Sequence, residues 1–211
     1  MARKPLSKAK PKTARKIDEQ VISAALTLAA ARGWRNVTLR DIAKEAGLSL
    51  TQVHSAYRSK NAIHSGFLDG VDAQVLAGGG DDEGPARDRL FDVLMRRFDA
   101  LTPHKAGLAA IARDVLADPS ACLCLYPEII RSMTWMLEAA NVSSAGLGGR
   151  IKAHGLALIY LNAFRVWLGD DTDDMSSTMA ALDFGLRRAE RLMNLCYCRP
   201  KPAGQGEEAA A

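Results

Sequence analysis

Two short runs in the first third of the chain put polar side chains where they could meet a polyanion. Thr38 stands three residues before Asp41, and Ser49 three before Gln52. Each pair is a capping box, in which two side chains satisfy exposed backbone donors at the start of a helix. Gly47 lies between them, so the spacing predicts two short helices joined by a tight glycine turn. Ile42, Ala43 and Ala46 give the first an apolar face, and the second runs to about Tyr57. Such a pair is a helix-turn-helix. Its second helix would put amino-terminal residues against base edges in the major groove, which makes Thr51, Gln52, His54 and Ser55 candidates. Gln52 could bond an adenine through both amide atoms, and Leu50 could touch a thymine methyl.

The elements that must hold this unit are also legible. Ile17, Val21, Ala24, Ala25 and Leu28 recur at helical spacing and Gly33 supplies a stop. After Arg58, Ser59 and Lys60, a longer helix is expected with Ile63, Phe67, Leu68, Val71 and Val75 inward. Gly78 to Pro85 is turn-rich and polar. Beyond it the pattern stays helical, with no strand-like alternation. Leu90, Phe91, Leu94, Met95, Phe98 and Leu101 share one segment, and Leu108, Ile111, Val115 and Leu116 the next. Pro127 should start or kink the helix that carries Ile129, Ile130, Met133, Trp135, Met136 and Leu137. A glycine joint at Gly146, Gly148 and Gly149 then precedes two long helices, near 150–169 and 174–196. In the last, Met175, Met179, Leu182, Leu186 and Met193 lie near one face, a stripe that pairing of two copies would bury.

Charge separates the two ends. Residues 1–68 carry thirteen Lys or Arg against four Asp or Glu, whereas the remainder has an acidic excess. Cations gain by releasing counterions condensed on phosphates, so the first part suits nucleic acid. Residues 1–16, with seven basic groups, two prolines and no acid, read as a disordered arm. The expected organisation is that arm, a helix-turn-helix domain over 17–68, a helical domain over 69–198 and a disordered tail over 199–211.

Other chemistry finds little footing. His54, His64, His104 and His154 lack metal-ligand spacing, and no serine, cysteine and histidine grouping suggests a nucleophile with its base. No catalytic residue, metal or cofactor is therefore expected. Cys122 and Cys124, like Cys196 and Cys198, are two apart on expected helices and read as reduced thiols. With no apolar run of membrane length and no signal segment at the start, the expected location is cytoplasmic.

The stretch from Val21 to Phe67 resembles the TetR family of regulators. The resemblance rests on Ala24, Ala25, Leu26, Leu28, Arg32, Gly33, Trp34, Thr38, Arg40, Asp41, Ile42, Ala43, Ala46, Gly47, Ser49, Val53, Tyr57, Ser59, Lys60 and Ile63. Ala29, His54 and Leu50 depart from the family's usual residues, the last two on the presumed recognition helix. The resemblance implies an all-α fold: a three-helix DNA-binding domain joined to a larger helical domain for ligand binding and dimerisation. It also places Thr38, Tyr57 and Lys60 where the family contacts phosphates and sets Arg40 with the DNA-facing residues. The function so implied is a homodimeric regulator of a duplex DNA operator, a repressor released by a small apolar ligand.

The carboxyl-terminal part, from Arg89 to Leu108, Ser132 to Ala140 and Arg165 to Leu192, also resembles the lipid-binding accessory family of ubiquinone biosynthesis, whose fold is TetR-like. That likeness implies a cavity for a lipid-like ligand, with Met133, Trp135, Met136, Leu158, Tyr160, Leu161 and Trp167 as lining. Under this alternative the chain would carry a lipid and keep its amino-terminal helices as fold alone. The basic excess over 1–68 favours the regulator, because a helix-turn-helix without DNA has no use for it.

Overall fold

A computed structural model describes residues 12–79 and 83–197 of the chain. Among them there is no strand. The helices run in the order α1 (Lys12–Arg32), α2 (Leu39–Glu45), α3 (Leu50–Ala56), α4 (Lys60–Ala77), α5 (Ala86–Leu101), α6 (Lys105–Leu116), α7 (Pro119–Ala139), α8 (Gly146–Leu168) and α9 (Ser176–Tyr197). A 3-10 turn at Trp34–Asn36 follows α1, and another at Thr102–His104 precedes α6.

The first compact unit extends to Ala157. At its amino-terminal end Val21, Ala24, Ala25 and Leu28 of α1 pack with Val37, Ile42, Ala43, Val53, Tyr57 and Ile63. Fully burying a Val or Leu side chain contributes roughly 1.5–3 kcal/mol, so this cluster holds α2 and α3 in place. Both expected capping boxes form, Thr38 with Asp41 and Ser49 with Gln52. Gly33 and Gly47 take the left-handed φ of 78° and 65° that end α1 and turn α2 into α3.

The sequence-drawn boundary at 68/69 is no break in this unit, since α4 runs straight through it. The head is also tied to the body directly. A Cβ on Gly107 of α6 would come within 2.7 Å of the Leu26 carbonyl oxygen of α1, so only glycine permits the approach. In the body, Arg97 of α5 pairs with Asp72 of α4, and Ser132 of α7 donates to the same Asp72 Oδ1 at 2.7 Å. All three side chains are buried. Three helices thus share one carboxylate, and removing one partner of such a pair costs about 3–5 kcal/mol.

Several expectations need correction. α1 begins at Lys12, so residues 12–16 of the expected arm are helical; 1–11 and 198–211 lie outside the described residues. Pro127 stands inside α7, which opens instead at Pro119, where Asp118 accepts from the backbone N–H groups of Ser120 and Ala121. The glycine joint is the first turn of α8. Gly149 is helical there because the Ser144 backbone crosses so close that a Cβ would lie 1.9 Å from it.

The second unit begins at Leu158 and contains the rest of α8 and α9. Gly185 lets the helices cross closely, as a Cβ there would meet Ile159 Cγ2 at 2.7 Å. Asp170 fixes the turn between them, accepting from both the N–H and the hydroxyl of Thr178 at 2.8 Å. Hydrogen bonds from Thr172 and Thr178 hold its carboxyl well below the usual range. Leu182 and Leu186 are buried in the chain, which corrects the stripe expected to face a second copy. The amphipathic face of α9 is used inward, and Phe184, Leu192 and Met193 remain exposed.

Candidate nucleic-acid interface

Val53 decides which way α3 faces. Its side chain is only 1% exposed, which anchors the helix in the head core. At 100° per residue Thr51 and Ser55 then point directly away from the core, with Leu50 and His54 on one flank and Gln52 on the other. All five are exposed. Leu50 is 44% exposed, an apolar contact held out toward solvent at the start of the helix. Among the described residues Thr51 and His54 have no side-chain hydrogen-bond partner, whereas the Ser55 hydroxyl donates to the Gln52 carbonyl at 2.8 Å.

Gln52 is half committed. Its Oε1 accepts the Ser49 N–H at 2.9 Å, which leaves one lone pair on that oxygen and both Nε2 donors. The two-bond adenine contact expected for it would use the same oxygen that holds the cap.

The phosphate set changes more. Thr38 donates its hydroxyl proton to Asp41 at 2.6 Å and accepts the Asp41 N–H at 3.1 Å, which leaves no side-chain donor for a phosphate. The hydroxyl bond, and after it one from the Thr38 N–H, lower the Asp41 carboxyl below its ordinary value. Tyr57 is buried, with its hydroxyl bonded to Asp18 of α1. Burial first, and the neighbouring carboxylates of Asp18 and Asp69 next, push the phenol far above its usual range. In the chain without DNA its ring packs in the head core and its hydroxyl is engaged by Asp18. Lys60 opens α4 as expected, but its ammonium donates to the Trp34 carbonyl at 2.5 Å and sits 4.4 Å over the indole ring.

Arg40 is exposed and forms no ion pair among the described residues. Arg58 is likewise exposed and unpaired, directly after α3, and sequence reasoning passed over it as part of an interruption. Its place between α3 and the cap residue Ser59 was the available signal.

Of the residues assigned to a lipid cavity, Met133 and Met136 are buried in the first unit, while Tyr160 and Trp167 are buried and Leu161 half-buried in the second. Trp135 and Leu158 are 51% and 64% exposed, and so do not line an interior as expected. Leu158 instead continues an exposed stripe of α8 with Leu147 and Ile151. Among the described residues no acidic, histidine or cysteine cluster could hold a metal, and no helix is long and apolar enough to cross a membrane. Cys122 and Cys124 are free thiols.

The geometry of α1 to α4 has a counterpart among known proteins. Residues 21–64 match the family model described as bacterial regulatory proteins of the tetR family. Those residues are similar to the amino-terminal domain of that family. The TetR-like fold extends beyond it. A TetR transcriptional regulator from Nitrosomonas europaea superposes with a TM-score of 0.66 at 23% identity, covering 83% of this chain and 98% of that one. A TetR regulator from Rhodococcus sp. RHA1 gives 0.55 at 21%, covering 83% and 98%. NalD of Pseudomonas aeruginosa, the secondary repressor of the MexAB-OprM multidrug efflux pump, gives 0.52 at 17%, covering 84% and 97%. At these identities the likeness establishes the all-α TetR-like fold. No curated protein matches the chain. The matched residues carry the helix-turn-helix formed by α2 and α3.

Proposed function

We propose that this chain is a homodimeric repressor that binds a duplex DNA operator through α3 and is released by a small apolar ligand. The observation that carries the reading is the outward face of α3: Leu50, Thr51, His54 and Ser55 are exposed on a helix fixed by Val53 beneath and by the Ser49–Gln52 cap. Arg40 and Arg58 flank it, within a segment whose basic residues outnumber its acids about three to one. Base edges would be read by Thr51, His54, Ser55 and the Gln52 amide nitrogen, and phosphates held by the two arginines.

Pairing of two chains is supported by α8. Leu147, Ile151 and Leu158 are 74%, 64% and 64% exposed, and their spacing of four and seven residues sets them along one side of the helix. A second copy covering this stripe would hold two recognition helices for the two halves of an operator. The repressor sense follows NalD, whose description is that of a repressor. For an apolar ligand, Met133 and Met136 of the first unit are proposed, and as a separate candidate Tyr160, Leu161 and Trp167 of the second.

The test is titration of the intact chain with duplex DNA fragments of differing sequence. Selective binding with two chains per site is expected. Absence of binding to any duplex at low salt would remove the reading.

A further inference from the structure

The exposed face of α3 carries one apolar side chain among polar ones. Thr51, Gln52, His54 and Ser55 are exposed and polar, and Leu50, the first residue of the helix, is 44% exposed beside them. A lone exposed leucine on an ordinary surface needs no explanation. Leu50 differs in its place. Side chains of a helix lean toward its amino-terminus, so that of a first residue projects past the helix end. The cap fixes where that end lies: Ser49 Oγ accepts the Gln52 N–H at 3.2 Å, and Gln52 Oε1 accepts the Ser49 N–H. Val53, one turn on, is anchored in the head core. Leu50 is therefore held at the leading edge of α3, with a cap immediately before it and a buried residue behind it.

Part of the Leu50 side chain is already covered within the chain, and the remainder stays in water. Covering that remainder is favourable for whatever apolar group meets it. A leucine side chain has no hydrogen-bonding atom, so it cannot tell a donor from an acceptor on a base edge. The major groove nevertheless offers it one distinguishing feature. Among the four bases only thymine presents a methyl group there.

We propose that Leu50 reads the 5-methyl group of a thymine, one in each half of the operator, and so sets a sequence preference that hydrogen bonding alone does not supply. The inference rests on the binding of duplex DNA through α3 proposed above. It adds an apolar contact to those of Thr51, Gln52, His54 and Ser55, and it leaves the Ser49–Gln52 cap closed, because the Leu50 side chain takes no part in that cap.

The test begins by selecting duplexes from a randomised library with the intact chain. In the enriched duplex each thymine is then replaced by deoxyuridine, which removes the methyl group and keeps every hydrogen-bonding atom of the base. Replacement at one position per half-site should weaken binding about fourfold, the effect of burying one carbon, and about fifteenfold when made in both halves. Leu50→Ala should bind the thymine duplex more weakly and should bind the thymine and deoxyuridine duplexes alike, whereas Leu50→Met should retain the difference. Ala, Leu and Met are all strong helix formers, so α3 persists in both variants, and melting curves check this. Deoxyuridine without effect at every position would overturn the proposal. So would a deoxyuridine penalty in Leu50→Ala equal to that of the unaltered chain, which would assign the methyl group to another side chain such as Thr51. Failure to enrich any duplex would instead remove the DNA reading, and this inference with it.

Discussion

The ring of Tyr57 lies so close over Gly66 that a Cβ built on the glycine would come within 2.6 Å of Cε1 and 2.7 Å of the hydroxyl oxygen. This contact, with the bond to Asp18, locks the end of α3 to α1 and α4. Gly66→Ala should therefore destabilise the chain by about 1–3 kcal/mol, as overpacking does. Tyr57→Phe keeps the ring and removes only the hydroxyl bond, at a cost of about 1–2 kcal/mol. Denaturant unfolding measures both. If Tyr57→Phe left stability untouched and instead reduced the salt slope of DNA binding, the residue would be a phosphate contact after all.

Gln52 carries two separable tasks. Gln52→Ala removes the acceptor of the Ser49 N–H and should cost about 1 kcal/mol of stability along with sequence discrimination. Gln52→Glu retains the acceptor but not the amide donors, so it should keep the melting temperature and still weaken operator binding. Wild-type affinity in Gln52→Glu would take this side chain out of the interface.

Binding to duplex should weaken steeply with salt. A dimer neutralising six phosphates, three per chain, gives a slope of about −5 in log affinity against log salt. Arg58→Ala and Arg40→Ala should each make it shallower by about two units per dimer, one from each chain. Titrations at four or more salt concentrations measure the slope, and a value near zero contradicts a phosphate-based interface.

Ile151 stands in the middle of the exposed α8 stripe. Ile151→Asp should convert dimer to monomer in light scattering, since a carboxylate would have to be buried unpaired in the interface. Operator affinity should fall about 100-fold or more as the two recognition helices are uncoupled. A variant that stays dimeric at micromolar concentration would place the interface elsewhere.

Burial lowers the His64 imidazole from its ordinary 6.5 to about 4. Between those values the unfolded chain binds a proton that the folded chain refuses, so stability from neutral His64 is full above pH 6.5 and is lost as pH falls toward 4. Melting temperatures measured from pH 7 to pH 4 should drop, and His64→Leu should flatten that dependence by about one proton. An unchanged profile in His64→Leu would mean that other groups account for the acid sensitivity.

The parts legible in the sequence are those set by local rules. Thr38–Asp41, Ser49–Gln52, Gly33 and Gly47 declare caps and turns within four residues, and each forms as read. What stayed hidden depends on contacts distant in the chain. Lys60 turns to Trp34, 26 residues away, and Tyr57 turns inward to Asp18. Gly149 resembles a joint until the Ser144 backbone is seen to need its missing side chain. In α9 the apolar period predicts a stripe but not which partner takes it, and the chain's own interior has the first claim on Leu182 and Leu186. Spacing finds a side chain's helix face; only packing tells whether its polar tip is free.

The carboxylate of Asp72, shared between Arg97 and Ser132, fastens α4 twelve residues from its first residue, Lys60. That span is about 18 Å of uninterrupted helix. Over that length a tilt of about 5° about Asp72 would move the Lys60 end by about 1.6 Å. Ser59, which caps this end, is joined to α3 by only Tyr57 and Arg58, so such a tilt would bear directly on the helix proposed to meet the bases.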